Sequence, residues 1–191
     1  MKKFIFFIYL LTFYPSLSLA ENQKAYFAGG CFWCMEESFD KVEGVIESIS
    51  GYSGGHVKDP TYKQVVYEKT GHVETIEVLF NPKLTNYDKL LKIFWENIDP
   101  FDAKGQFCDK GQGYRSVAFY QDAKQKILIK KSIANIEKRF KDKKVVTLTW
   151  EFKKFYPAED YHQDYYQKNF LRYLAYKSAC QRKEILDKIW N

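Results

Sequence analysis

His72-Val73-Glu74-Thr75-Ile76-Glu77-Val78-Leu79-Phe80 alternates strictly along its length. One side carries Val73, Thr75, Glu77 and Leu79; the other carries Glu74, Ile76, Val78 and Phe80. A period of two is the pattern of a β-strand, and Asn81-Pro82 closes it. Upstream, Val45 to Tyr52 alternates in the same way and runs into the flexible loop Gly51-Tyr52-Ser53-Gly54-Gly55. A short helix fits between the two strands, starting at Asp59-Pro60-Thr61, running through Val66 and stopped by Gly71. Across the chain, adjacent strands with short loops imply antiparallel pairs.

Working outward, Lys24 to Ala28 reads as a strand, and Cys31 to Lys41 as a helix with Phe32, Met35 and Phe39 on one face. Thr85 or Asn86 caps a helix to about Asn97, its Leu90, Leu91, Phe94 and Trp95 turned inward. Asp99 to Gly113 is an irregular loop of the length that usually carries function. Ser116 to Tyr120 is a strand, Asp122 starts a long amphipathic helix to Phe140, and Val145 to Phe152 is another strand. From Pro157 onward the chain is helical or irregular. This order predicts an α+β fold: one domain with a ferredoxin-like split βαβ core, a mixed or antiparallel sheet and an extended C-terminal segment. The alternative, a doubly wound α/β sheet, fits the short connections less well.

The first twenty residues stand apart. Met1-Lys2-Lys3 is a positive start, Phe4 to Phe13 an apolar core too short to cross a bilayer, and Ser18-Leu19-Ala20 a small-residue cleavage site. A secretory signal peptide over 1–20 and a mature domain over 21–191 are expected, hence export to a periplasm or the exterior and no membrane attachment after cleavage. Losing Lys2 and Lys3 lowers the net charge from +6 to +4, 28 basic residues against 24 acidic. That mild, scattered charge requires no nucleic-acid partner. Four cysteines in an exported chain could be staples, but a domain this apolar does not need them, and a redox role is the better reading.

Phe27-Ala28-Gly29-Gly30-Cys31-Phe32-Trp33-Cys34 carries that role. Helix N-terminal N–H groups favour negative charge, so Cys31 reads as a nucleophilic thiolate, and Phe32 and Trp33 supply an apolar wall. Cys34 shares a helix face with Cys31 and lies within disulfide reach; it is either its redox partner or a core residue. Glu74 is the lone carboxylate on an apolar strand face, where burial would keep it protonated and able to donate. Tyr52 and Tyr114 are candidate hydroxyl donors on loops. Asp109 reads on its own as a turn former. His56, His72 and His162 lack ligand spacing, so no metal is expected.

Gly30-Cys31-Phe32-Trp33, Gly51-Tyr52-Ser53-Gly54-Gly55, Gly71-His72-Val73-Glu74, Tyr114-Arg115-Ser116 and Phe155-Tyr156-Pro157-Ala158-Glu159-Asp160-Tyr161-His162-Gln163 together resemble the peptide methionine sulfoxide reductase A family, in its order and over essentially the whole mature chain. The resemblance implies that Cys31 attacks the sulfur of a methionine S-sulfoxide, free or in an oxidised protein. It also implies that Glu74, Tyr52 and Tyr114 hold and protonate the oxygen, that Asp109 lies near it, and that Phe32 and Trp33 receive the methyl. Cys31 becomes a sulfenic acid; a second thiol closes a disulfide, which an external thioredoxin-like dithiol reduces without any bound cofactor. A monomer is expected.

The chain departs from the family pattern where regeneration occurs. Cys34 stands where glycine is common, the residue before Tyr114 is Gly113 rather than Gln, and Cys180 lies in a helical Ala179-Cys180-Gln181-Arg182 segment rather than a glycine-rich tail. The resolving thiol is therefore open among Cys34, Cys108 and Cys180, with Cys180 favoured by its C-terminal place. The rival activity is a thioredoxin-like dithiol oxidoreductase using Cys31-Phe32-Trp33-Cys34.

Overall fold

Residues 21–191 are described in a computed structural model of the chain; the leader expected over 1–20 lies outside the described residues. Strand β1 (Gln23–Gly29) enters at the centre of the sheet and turns at Gly30 into helix α1 (Phe32–Asp40). Gly30 makes the turn at φ +78, where a Cβ would meet Gln106 at 2.5 Å, so both the backbone conformation and the space call for glycine. Strand β2 (Val45–Ser53), helix α2 (Tyr62–Tyr67) and strand β3 (Val73–Phe80) follow. Thr61 and Gln64 form a reciprocal capping box at the start of α2. Asn86, the second of the two expected caps, accepts from the Lys89 N–H and opens α3 (Tyr87–Glu96).

The Asp99–Gly113 stretch is less irregular than expected. It folds into a small hairpin, β4 (Gly105–Gln106) and β5 (Asp109–Lys110), followed by a 3-10 turn at Gln112–Tyr114. Strand β6 (Ser116–Tyr120) and helix α4 (Ala123–Arg139) match their sequence readings. The strand expected over Val145 to Phe152 shortens to β7 (Leu148–Glu151), because the Val146 N–H is drawn away to the Pro100 carbonyl, 2.9 Å off. A strand that the pattern did not announce, β8 (Phe155–Pro157), adds to the edge beside β2. The C-terminal segment is three helices: α5 (Tyr165–Lys168), α6 (Phe170–Ala179) and α7 (Arg182–Trp190).

The main sheet runs β7-β6-β1-β3-β2-β8. Its inner four strands are antiparallel in the order β6-β1-β3-β2, the split βαβ core; only β6 and β7 pair parallel. On one face, Phe27 stacks with Phe39, Tyr87 and Phe94 at centroid separations of 5.2–5.6 Å. Full burial of a ring such as Phe39 stabilises by about 2 kcal/mol. The other face is covered too: Tyr26, Ala28, Val73, Val117 and Phe119 pack against Leu148, Trp150, Phe152 and Phe155. Glu77 is therefore buried despite alternating with the apolar set, and Lys24 and Tyr26 each donate to it at 2.7 Å. Among the described residues, no helix is long and apolar enough to cross a membrane.

Candidate active site

The β1–β3 register pairs Phe27 with Ile76. Continued along both strands, it brings Glu74 level with Gly29, directly below the start of α1. Cys31 is the N-cap of that helix, 5% exposed. Cys31, Phe32, Trp33, Tyr62, Glu74, Asp109, Tyr114 and Tyr176 line one cavity of about 70 Å³. Larger grooves, about 570 and 540 Å³, lie along Glu36 and Asp40 and beside Trp150, and hold no thiol.

The first free N–H of α1 does not serve the sulfur. The Phe32 N–H donates to Glu74 Oε2 at 3.0 Å, and so fixes the carboxyl under the helix start. Burial nevertheless pushes the Glu74 carboxyl well above the usual range, the nearby charges of Asp109 and Cys34 adding to the effect against the Phe32 hydrogen bond. Burial therefore favours its protonated form, which can donate. Cys31 departs from the sequence reading: burial, then Cys34 and the charge of Glu74, push its thiol up rather than down. Cys34 goes the other way, to about 6, because its neighbour Cys31, then Arg182, Tyr173 and Lys177, favour its charge against burial.

Of the expected site residues, Cys31, Phe32, Trp33, Glu74, Tyr114 and Asp109 converge on the cavity; Tyr52 does not. The Tyr52 hydroxyl donates to Glu159 Oε2 at 2.8 Å, behind the wall that Phe32 forms. Tyr62 lines the cavity instead, its hydroxyl 3.4 Å from that of Tyr114. Glu159 holds Tyr62 there by accepting its backbone N–H at 3.0 Å. The signal for Tyr62 was the Asp59-Pro60-Thr61 helix start, which sets it in the first turn of α2. Trp33 is oriented from outside the cavity: its indole N–H donates to His162 Nδ1 at 3.2 Å and its ring stacks on Tyr165 at 3.7 Å. Burial holds the His162 imidazole down at about 4, so it accepts as the neutral ring.

Cys180, favoured as the thiol for Cys31, is bonded to Cys108 across 72 residues, with their Cα atoms 4.9 Å apart. Cys31 and Cys34 are free and buried. Cys108 is presented at the tip of the β4–β5 hairpin, where Phe107 holds φ +54, a left-handed conformation unusual for a bulky residue. Among the described residues, the one group with metal-like spacing is Cys108, Asp109 and Cys180, and the disulfide occupies both its sulfurs.

A thiol against a carboxyl that burial biases toward its protonated form, in a small aromatic-walled cavity, is the equipment for reducing a sulfoxide, and the comparisons agree. The family model described as "Peptide methionine sulfoxide reductase" matches residues 23–191. The chain belongs to the peptide methionine sulfoxide reductase family. It is 49% identical over 173 residues to the MsrA/MsrB protein of Vibrio cholerae, covering 90% of this chain and 46% of that one. It thus spans less than half the length of that relative. With the MsrA of Listeria monocytogenes it shares 46% identity over 170 residues, 88% of this chain and 96% of the relative. The solved structure of Mxr1 from Saccharomyces cerevisiae in reduced form superposes with a TM-score of 0.72 at 32% identity, covering 78% of this chain and 87% of that one. The chemistry is methionine sulfoxide reduction, not the dithiol exchange that Cys31-Phe32-Trp33-Cys34 alone could signify.

Proposed function

We propose that this chain reduces the S epimer of methionine sulfoxide, free or in oxidised proteins, with Cys31 as nucleophile and Glu74 as acid. The observation that carries the assignment is the shared cavity: the Cys31 sulfur and the Glu74 carboxyl, whose proton burial favours, face one space bounded by Phe32 and Trp33. Its volume suits a methyl and a sulfinyl group, so the head of the side chain is read rather than the polypeptide around it. Phe32 and Trp33 take the methyl. The Tyr62 and Tyr114 hydroxyls and Glu74 meet the oxygen. As the Cys31 sulfur attacks, the Glu74 proton passes to the oxygen. Methionine leaves with its sulfur reduced by two electrons, and Cys31, oxidised by two, becomes the sulfenic acid.

Cys34 then resolves it. Its thiolate attacks Cys31–SOH, a sulfur–sulfur bond forms, and hydroxide leaves as water with one proton. Support comes from the free, adjacent state of the two thiols and from the charge that Arg182 and Lys177 place around Cys34. Reduced Cys108 and Cys180 next exchange with the Cys31–Cys34 bond, restoring both inner thiols and forming the outer disulfide. Cys180 caps α6, the helix that lays Tyr173 and Tyr176 over the inner pair, so loosening its last turn brings Cys180 inward. A thioredoxin-like dithiol reduces Cys108–Cys180 from outside, Cys108 being the exposed end. The chain acts as an exported monomer; the reading of residues 1–20 as a signal supports export, which cell fractionation tests.

The decisive experiment is one turnover on a methionine S-sulfoxide peptide without reductant, starting from the fully reduced chain, with the cysteine pairs mapped by mass spectrometry over time. Methionine formation with Cys31–Cys34 preceding Cys108–Cys180 is expected. No methionine overturns the activity; Cys31 joined first to Cys180 overturns the order.

A further inference from the structure

The Cys31 thiol is buried, and the N–H that might have favoured its charge is bound by Glu74. Some group must accept its proton and steady the sulfur charge as attack begins. The titratable groups that face Cys31 are Cys34 on its own helix, Glu74 from β3, Tyr62 from α2, Tyr114 from the 3-10 turn, Asp109 from β5 and Tyr176 from α6. Glu74 is spent on the oxygen. Tyr62 and Tyr114 bond to each other. Tyr176 differs from both: it lines the cavity with Cys31 and packs against the Cys31–Cys34 cluster, it is the one neighbour that favours charge on the Cys31 thiol, and its hydroxyl bonds the Asp109 carboxylate. Its ring stands edge-on to Trp33, with centroids 5.9 Å apart.

We propose that Tyr176 is a catalytic hydroxyl that carries the Cys31 proton to Asp109 and then donates to the sulfur left behind. The inference rests on Cys31 being the nucleophile. The transfer balances in two concerted moves. The S–H proton passes to Tyr176 Oη, and the former Tyr176 proton passes to Asp109 Oδ2. The sulfur becomes a thiolate, Tyr176 stays neutral, and the carboxylate becomes a carboxylic acid that donates back to Tyr176 Oη. Asp109 suits the task because burial raises its affinity for a proton, while Arg182 and Lys110 keep the carboxylate form available. The competing acceptor is Cys34, which also faces Cys31. Sequence reading missed Tyr176 because its link to Asp109 spans 67 residues; its one local mark is its place one helical turn before Cys180.

The test uses the full chain with Cys34→Ser and the Cys108–Cys180 bond intact, so that Cys31 is the single free thiol of the three remaining cysteines. The rate of Cys31 alkylation by iodoacetamide is followed against pH. Tyr176→Phe keeps the ring against Trp33 and removes only the hydroxyl. It is expected to raise the alkylation midpoint by about one pH unit, an approximately tenfold loss of thiolate below the midpoint. In the chain that retains Cys34, Asp109→Asn is expected to slow single-turnover methionine formation at neutral pH by about tenfold or more. An unmoved midpoint in Tyr176→Phe, or an unslowed turnover in Asp109→Asn, overturns the proposal. The alkylation needs no sulfoxide, so a wild-type chain that forms no methionine defeats the proposed activity and leaves the thiol measurement standing.

Discussion

Two cysteine pairs of one chain occupy opposite environments. Cys31 and Cys34 lie three residues apart in one helical turn, buried and unbonded. Cys108 and Cys180 lie 72 residues apart, at a hairpin tip and a helix end, and are bonded. Proximity in sequence therefore does not decide which thiols rest as a disulfide. The inner pair is set among an acid, aromatic rings and the charges of Arg182 and Lys177, which suits a nucleophile and a resolving thiolate. The outer pair reaches solvent through Cys108, which suits exchange with another protein. In the proposed cycle, one pair performs the chemistry and the other passes its oxidising equivalents outward.

The contrast breaks most completely at Cys31. Cys31→Ser is expected to abolish methionine formation while thermal unfolding stays cooperative, because serine fits the N-cap position. Any turnover measured in that variant moves the chemistry elsewhere. Glu74 follows. Glu74→Ala should slow the first step by about 10²–10⁴-fold, the usual worth of a positioned acid, and Glu74→Gln should keep part of the rate. The pH dependence gives the sign. A carboxyl raised well above its ordinary value is the acid below its raised pKa and is lost as pH climbs through it. The wild-type first step therefore falls on the alkaline side; Glu74→Gln, which donates at any pH, should lack that fall. A shared alkaline limb in both proteins assigns the acid to another group.

The resolving steps sharpen the division of labour. Cys34→Ser should complete one turnover at full rate and then stall with Cys31 as sulfenic acid, visible as one added oxygen by mass. Cys108→Ser should instead accumulate the Cys31–Cys34 disulfide. Its steady-state rate with a thioredoxin-like dithiol should drop by about tenfold or more, while a small dithiol that reaches buried sulfur sustains it better. Equal losses with both reductants would merge the two pairs into one functional unit.

Much of this was written in the sequence, unevenly. The strands at Val45–Ser53, Val73–Phe80 and Ser116–Tyr120 and the helices capped by Asn86 and Asp122 follow their local patterns, because period and caps are local physics. Glu74 was legible because a carboxylate breaks an apolar strand face. Tyr62 was overlooked in favour of Tyr52, since nothing local says which tyrosine of neighbouring segments turns toward the cavity; Glu159, about a hundred residues on, makes that choice. The lowered thiol went to Cys34 rather than Cys31 for a similar reason. Helix polarity favours charge at its N-terminus, but the N–H there is taken by a strand side chain 42 residues away. The Cys108–Cys180 pairing has no local signature at all.

The smallest expected effect probes why Cys34 is the charged member of the inner pair. Lys177 sits 2.5 Å from Glu37 and close enough to Cys34 to favour its thiolate, yet it is one-third exposed. Lys177→Met keeps the length of the side chain and removes the charge. Tyr173 still donates to Glu37 at 2.6 Å, so α6 keeps its seat on α1. Its neighbours hold the Cys34 thiol down, to about 6, and removing a favourable charge moves the midpoint upward. Resolution of the sulfenic acid should therefore slow by about 1.5- to twofold near pH 6, a partly screened charge being worth a few tenths of a pKa unit. The difference should vanish by pH 8, where Cys34 is ionised in both chains. High salt should shrink the gap, because it screens Lys177 more than the buried Arg182. A deficit that persists unchanged to pH 8 would mean that Lys177 acts by holding α6 in place, and Cys34 would owe its charge to Arg182, Tyr173 and Cys31 alone.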